Sequence, residues 1–236
     1  MVATSSVLHH GSSRLITIDE MENIPAPLGT ETWKPVQHRK VVDSVHMAIQ
    51  ARGFSVASEE YSITPDDAKM FGVIKLQDSR NPEWRRCIGL RNGNDRRMPL
   101  GVAVGVNVYV CDNMCLSSEI VVHRKHTSRF ELEPVIEIAM DGLEGRFESF
   151  ESRLNTLKGE LISHDEAALL AVKIAEAGGI RSSDIVPIIE EFHEPRHEEF
   201  RGGNRWNLLN AFTEISKKFQ PVRYRVFRES CLRLFS

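Results

Sequence analysis

Valine occupies every even position from Val102 to Val110 in the run GVAVGVNVYVC, which spans residues 101–111. Side chains of a β-strand alternate between two faces, whereas the faces of a helix repeat every 3.6 residues. The run therefore predicts a β-strand with one apolar face. The opposite face begins with Gly101, and a glycine inside a strand indicates close approach of another group. That face is expected either to pack between layers or to form a shallow sheet surface open to a partner.

Short extended runs surround this strand, and helical periodicity dominates the chain after Pro134. The expected strands are residues 54–63, 72–77, 86–91, 101–111 and 118–126. The expected helices are residues 35–52, 136–154, 163–178, 184–192 and 205–219, and the second of them is taken as one long amphipathic helix. Strands followed by helices, without alternation, predict an α+β fold in which an antiparallel sheet is packed by C-terminal helices.

The organisation follows from the same patterns. Residues 1–32 are polar and are expected to form a tail or extended arm. Residues 33–236 are expected to form a single domain, with a sheet-rich half at 33–130 and a helical half at 131–236. No apolar run is long enough for a bilayer helix, and the first residues lack the layout of a secretory signal. Because the four cysteines are irregularly spaced, reduced thiols and a cytoplasmic location are expected.

Positive charge is concentrated in two segments on either side of the valine strand. The first, residues 80–97, holds six arginines against Glu83 and Asp95, together with Trp84. The second contains His123, Arg124, Lys125, His126 and Arg129. The net charge of −3 excludes a uniformly basic nucleic-acid binder, but it is compatible with a basic patch.

Cationic side chains neutralise phosphates and aromatic rings stack on bases, so this combination suits single-stranded nucleic acid. The residues expected to contact nucleic acid are Trp84, Arg85, Arg86, Arg91, Arg96, Arg97, Arg124, Lys125 and His126. The alternative is that these arginines pair with the acidic helices of the second half, in surface ion pairs that each contribute little.

Residues 193–197 spell H-E-x-x-H, a motif in which two histidines on one helical face bind zinc. Pro195 removes a helical hydrogen bond and pushes Glu194 out of helical geometry. A helix that ends near Phe192 would also separate His193 from His197. We therefore expect a surface turn here, without a metal or a catalytic role.

Cys111, Cys115, His123 and His126 are residue types that bind zinc. If the segment after Cys115 is extended, His123 lies about 26 Å away from it, at roughly 3.3 Å per residue. Zinc ligands must converge within a few ångströms. No metal and no cofactor are therefore expected.

A polar patch is expected on the last long helix, where Asn210 and Thr213 follow Trp206 at helical spacing. Buried polar groups require hydrogen-bond partners, and the turn at Asn113 offers them. These four residues are expected to form a structural clasp between the helix and the sheet.

Two segments carry a family resemblance: RNGNDRRMPLGVAVGVNVYVCDNMCLSSEIVVHRKHT at residues 91–127 and EPRHEEFRGGNRWNLLNAFTE at residues 194–214. They resemble the phage/plasmid-like family known as domain of unknown function 932, from about Trp33 to Phe219. The features that match it are Arg91-Asn92, the Cys111 to Asn113 turn, His126-Thr127, Trp206, Asn210 and Thr213. The resemblance implies a setting in phages, plasmids and integrated elements, and it implies no established reaction.

Together these features predict a nucleic-acid-associated protein of a mobile element that binds DNA without breaking bonds. Its expected roles are to support replication, recombination or strand annealing, as a homo-oligomer. One alternative is an interaction or anti-defence factor that engages a host protein. A second is a metal-dependent hydrolase that uses His126, His193 or His197.

Overall fold

The computed structural model describes residues 14–77, 81, 83–108, 114–217, 219, 226–227 and 230–231, without the side chains of residues 108 and 114–121. Its central element is an antiparallel sheet whose six strands follow one another in chain order. The strands are β1 (Arg14–Ile16), β2 (Val56–Ile63), β3 (Lys69–Leu76), β4 (Trp84–Gly93), β5 (Leu100–Val108) and β6 (Met114–Arg124). The helices are α1 (Ile18–Glu22), α2 (His38–Ala51), α3 (Leu132–Met140), α4 (Leu143–Gly159), α5 (His164–Glu176), α6 (Ser182–His193) and α7 (Arg205–Ser216), with a 3₁₀ turn at Glu198–Phe200. The fold is α+β, which confirms the prediction.

The valine-rich run forms β5, in the middle of a continuous β4–β5–β6 meander. Its even positions Val102, Val104 and Val106 pack into apolar clusters formed with the helices, and the odd positions from 101 to 107 are buried as well. On the face of the odd positions, the side chain of Arg91 lies against the backbone of Gly101. Val110 lies outside the described residues.

Two apolar clusters hold the helices on the sheet. The first packs α2 and α3 on the centre of the sheet, with Val45, Ile74, Ile88, Val102 and Ile136 among its members. The second contains residues of the four helices α4, α5, α6 and α7, and it contacts the sheet through Trp84 and Val106. The first cluster includes Ile88 and Leu90 of β4, and the second contacts the beginning of that strand through Trp84.

The expected long helix over residues 136–154 is two helices, which corrects the prediction. α3 ends at Met140, and Gly142 adopts a left-handed backbone conformation with φ of 62° before α4 begins at Leu143. Glycine adopts this conformation without the steric cost that a Cβ atom would impose. The break lets Met140 and Leu143 both enter the core.

Part of the segment expected to be a polar arm forms a strand and a helix, at Arg14–Ile16 and Ile18–Glu22. β1 pairs with β2 at the edge of the sheet. α1 is held by a capping box between Thr17 and Glu20, and Met21 is fully buried. Residues 14–22 are therefore part of the fold. In the described part of the chain, we find no helix that has both the length and the apolar character needed to cross a membrane.

Candidate nucleic-acid interface

The strand register brings parts of the two basic segments to the same end of the sheet. Gly101 pairs with Arg91 on one side and with His123 on the other, and Leu100 pairs with Arg124. Directly paired residues of antiparallel strands project from the same face, so Arg91 and His123 lie on the face of Gly101, whose backbone the Arg91 side chain covers. We call the resulting surface the basic rim. It consists of Arg91, Arg96, Arg97, His123, Arg124 and Lys125.

The turn between β4 and β5 presents Arg96 and Arg97 to solvent. Asp95 shapes this turn, because its Oδ1 accepts hydrogen bonds from the backbone N–H groups of Arg97 at 2.9 Å and Met98 at 2.8 Å. Its Oδ2 lies 3.1 Å from Nζ of Lys69. Partial burial alone would raise the pKa of Asp95, but these hydrogen bonds and the nearby ammonium together lower it. Asp95, the only carboxylate within the turn, thus bonds to the turn backbone and to Lys69.

A buried polar clamp fixes the beginning of this turn against the segment that precedes α2. Nδ2 of Asn92 and Nδ2 of Asn94 each donate a 2.9 Å hydrogen bond to the carbonyl of Val36, whose N–H donates to Oδ1 of Asn94 at 3.2 Å. Nδ2 of Asn92 also lies 2.9 Å from Nδ1 of His38, and Nε2 of His38 lies 3.0 Å from the carbonyl of Asp67. A neutral ring that carries its proton on Nε2 satisfies both contacts, and burial lowers the pKa of His38.

The sequence did not single out this clamp, because asparagines beside a glycine are ordinary turn residues. Their burial is the feature that identifies a structural role. It depends on the distant pairing with Val36 and is not visible in the local pattern.

His126 lies behind the rim and not on it, which corrects its expected role in phosphate contact. Its side chain is buried, and its ring lies 4.7 Å from that of Phe130. Burial lowers the pKa of His126, proximity to His38 lowers it further, and the backbone of Lys34 acts in the opposite direction. A buried, neutral imidazole is not available to a solvent-borne phosphate.

Trp84 and Arg86 lie at the other end of β4, in the core. Trp84 is 1% exposed and Arg86 is 4% exposed. Nη1 of Arg86 lies 2.9 Å from Glu144, its Nη2 lies 2.6 Å from Glu151, and Nε1 of Trp84 lies 3.3 Å from Glu151. The expected stacking by Trp84 and phosphate contact by Arg86 are therefore corrected, because both side chains are occupied within the protein.

Arg85 is half-exposed and pairs in register with Asn107 near the same end of the sheet as Trp84. Six strand positions separate Arg85 from Arg91, which corresponds to about 20 Å. The structure thus gathers Arg91, Arg96, Arg97, Arg124 and Lys125 at one end and leaves Arg85 apart from them.

A protein-family model matches residues 28–233 of the chain and is described as a domain of unknown function, DUF932. The chain belongs to this family. The comparison with curated proteins found no match, and neither did the comparison with solved structures. The match covers the basic rim, the polar clamp and the helical half, and it confirms the family that the sequence motifs suggested.

In this DUF932 protein, α7 contacts the sheet through Trp206. Its ring meets that of Trp84 edge-on, with centroids 5.7 Å apart. Nδ2 of Asn210 donates to the Trp206 carbonyl and Oγ1 of Thr213 donates to the Asn210 carbonyl, both at 2.9 Å and within the helix. Asn113 lies outside the described residues, so the clasp between these polar groups and its turn stays a prediction.

The H-E-x-x-H residues of the DUF932 chain do not share a helical face. α6 ends at His193, and His197 lies in the following segment, against the ring of Phe200. The ring of His193 stacks instead on His164, with 2.5 Å between Nε2 and Nδ1. This arrangement lacks the geometry of the zinc motif.

The second metal pattern falls partly on undescribed positions, since Cys111 and the side chain of Cys115 are not described. Of its histidines, His123 is exposed and His126 is buried. Among the residues that the structure describes, no cluster of three or more histidine, cysteine or acidic side chains is placed to hold a metal ion.

Proposed function

We propose that this DUF932 protein binds single-stranded nucleic acid through the basic rim, in the setting of a phage, plasmid or other mobile element. The observation that carries the proposal is the register that sets Arg91 and His123 on either side of Gly101. It joins two basic segments that are separate in the sequence. The proposed activity is binding in support of replication, recombination or strand annealing, without a bond-breaking step.

The charge state of the rim supports the proposal. Four of its side chains, those of Arg96, Arg97, Arg124 and Lys125, are exposed and form no ion pair with any other residue that the structure describes. Most arginines elsewhere are engaged, as Arg86 is with two glutamates. Exposed cations without carboxylate partners attract phosphates and release the counterions that surround a nucleic acid.

The grouping of basic side chains from neighbouring strands at one end of the sheet also suits a flexible single strand. Gly101 is buried beneath the side chain of Arg91, and the register places Arg91 and His123, one from each neighbouring strand, on this same face. Single-strand binders combine a positive groove that follows the backbone with aromatic rings that stack on bases. The basic rim would supply the positively charged part of such a site.

Fluorescence anisotropy with labelled oligothymidylate and a duplex of the same length tests the proposal at low salt. We expect binding to the single strand, weaker binding to the duplex, and a marked loss for a variant with Arg124→Ala and Lys125→Ala. A matched control carries Lys173→Ala and Arg181→Ala, two exposed cations of the helical half, and should bind like the wild type. Absence of binding to both oligonucleotides would overturn the proposal.

The expected alternative, an interaction or anti-defence factor for a host protein, makes a different prediction. Its protein partner would remain bound after nuclease treatment. Neither the wild type nor the variant with Arg124→Ala and Lys125→Ala would bind the oligonucleotides. Light scattering of the same samples measures the proposed homo-oligomeric state.

A further inference from the structure

An aromatic ring lies against the basic rim although it is distant in the sequence, that of Trp33. Its backbone forms isolated antiparallel bridges with Thr30 and with Thr127, just beyond the end of β6. The N–H of Lys34 donates to the His126 carbonyl at 3.2 Å. These contacts attach the segment before α2 to the same end of the sheet as the rim.

Arg96 connects Trp33 directly to the rim. Its guanidinium carbon lies 4.8 Å from the centroid of the indole ring. The backbone of Arg96 adopts a φ of 62°, which is uncommon for a residue with a Cβ atom. The turn thus places this guanidinium over the ring at a conformational cost.

The three tryptophans of the chain differ in accessibility. Trp84 and Trp206 are buried at 1% and 3% exposure and pack against each other, whereas Trp33 is partly exposed. The buried part of Trp33 includes Nε1, which has no hydrogen-bond partner among the described residues. The solvent-accessible part of Trp33 therefore does not include the indole N–H, and stacking on a nucleobase uses the face of the ring and not this N–H.

We infer that Trp33 is the base-stacking residue of the basic rim, with Arg96 covering its ring until a nucleobase replaces the guanidinium. This inference rests on the proposed nucleic-acid binding and names the residue that contacts the base. An exposed cation over an indole is held weakly, and base stacking on an aromatic ring contributes more. Once displaced, Arg96 is close enough to the same strand to meet a phosphate.

Tryptophan fluorescence separates Trp33 from the two buried rings. We expect oligothymidylate to quench the emission of the wild type and to leave that of a Trp33→Phe variant nearly unchanged. An abasic oligonucleotide of the same length, which has phosphates but no bases, should bind through charge without quenching. Trp33→Ala should weaken oligothymidylate binding by about 5- to 150-fold, whereas Trp33→Phe should retain most of the affinity.

The outcomes distinguish the inference from the function on which it rests. If oligothymidylate binds but still quenches the Trp33→Phe variant as strongly as the wild type, the inference is overturned. Equal affinity of Trp33→Ala and wild type would overturn it as well. If neither the abasic nor the thymidine oligonucleotide binds at low salt, the proposed function itself is overturned. The Trp33→Phe variant keeps an aromatic ring at this position and serves as the folded reference.

Discussion

The side chain of Arg91 lies so close to Gly101 on the neighbouring strand that a Cβ atom at residue 101 would come within 2.6 Å of its Nε atom. The absence of a side chain at Gly101 is therefore what lets Arg91 extend across the strand. His123 pairs with Gly101 from the other side. The position of Arg91 on this face depends on that one glycine.

Replacement of Gly101 by alanine should displace Arg91 and weaken oligothymidylate binding several-fold, up to about the tenfold that corresponds to 1.4 kcal/mol. Stability should change little, because the crowded atoms belong to a flexible side chain. Anisotropy titration and urea unfolding measure the two effects. As a control, Gly145→Ala lies in α4 with open space around it and should leave binding unchanged. Wild-type affinity of the Gly101→Ala variant, alongside a clear loss in Arg91→Ala, would contradict this account.

Arg86 is expected to act on stability and not on binding. Its guanidinium is buried and paired with Glu144 and Glu151. Removing one partner of a buried ion pair leaves the other charge uncompensated. Because both glutamates are partly exposed, Arg86→Met should lower the free energy of unfolding by about 1 to 3 kcal/mol, as measured by urea denaturation.

A second substitution tests the reason for this loss. Glu151→Gln removes one of the two uncompensated charges while keeping an acceptor for the indole N–H of Trp84, so it should recover part of the stability lost in Arg86→Met. If Arg86→Met is as stable as the wild type yet binds oligothymidylate more weakly, Arg86 is a ligand-contacting residue and its assignment to the core is wrong.

The two buried histidines, His38 and His126, should make stability depend on pH near neutrality. Burial lowers the pKa of each below its ordinary value of 6.5. Below pH 6.5 the unfolded chain therefore binds protons that the folded protein does not. The free energy of unfolding should be constant above this value and fall as the pH decreases, by up to about 1.4 kcal/mol per unit for each histidine.

Replacement of His126 by phenylalanine isolates one of these contributions. Urea unfolding between pH 7.5 and pH 5 should show a smaller pH dependence in this variant, because His38 is then the remaining one of the two buried histidines. Carboxyl groups with a lowered pKa, such as Asp66, act at lower pH, since hydrogen bonds from Thr64 and Ala68 favour the charged form. An unchanged slope in the His126→Phe variant would show that His126 is not neutral in the fold.

Much of the fold could be predicted from local patterns, because local physics determines those elements. The valine alternation predicted β5, and Val102 points into the core as expected. Ser163 and Glu166 form the capping box that opens α5. Both signals act within a few residues of the chain.

The roles of Trp84 and Arg86 could not be predicted in the same way. In sequence they stand among arginines, a pattern typical of a cationic surface. The carboxylates that engage Arg86 belong to residues 58 and 65 positions further along the chain. The choice between core and surface was therefore decided by long-range packing.

Trp33 and the asparagine clamp were missed for a related reason. Trp33 approaches Arg96 only because its segment bridges to Thr127, and Asn92 is buried only because the segment before α2 lies over it. Both contacts join residues that are distant in the sequence, so a pattern of neighbouring residues cannot predict them.

The salt dependence of binding tests the basic rim most directly, through a variant with Arg96→Ala and Arg97→Ala. For single strands, each phosphate contact contributes about 0.7 to the slope of log K against log salt. The account predicts weaker binding at low salt and a slope reduced by about 1.4, while a control with Arg181→Ala and Arg201→Ala keeps the wild-type slope. Identical slopes in the Arg96 and Arg97 variant and the wild type would contradict the account.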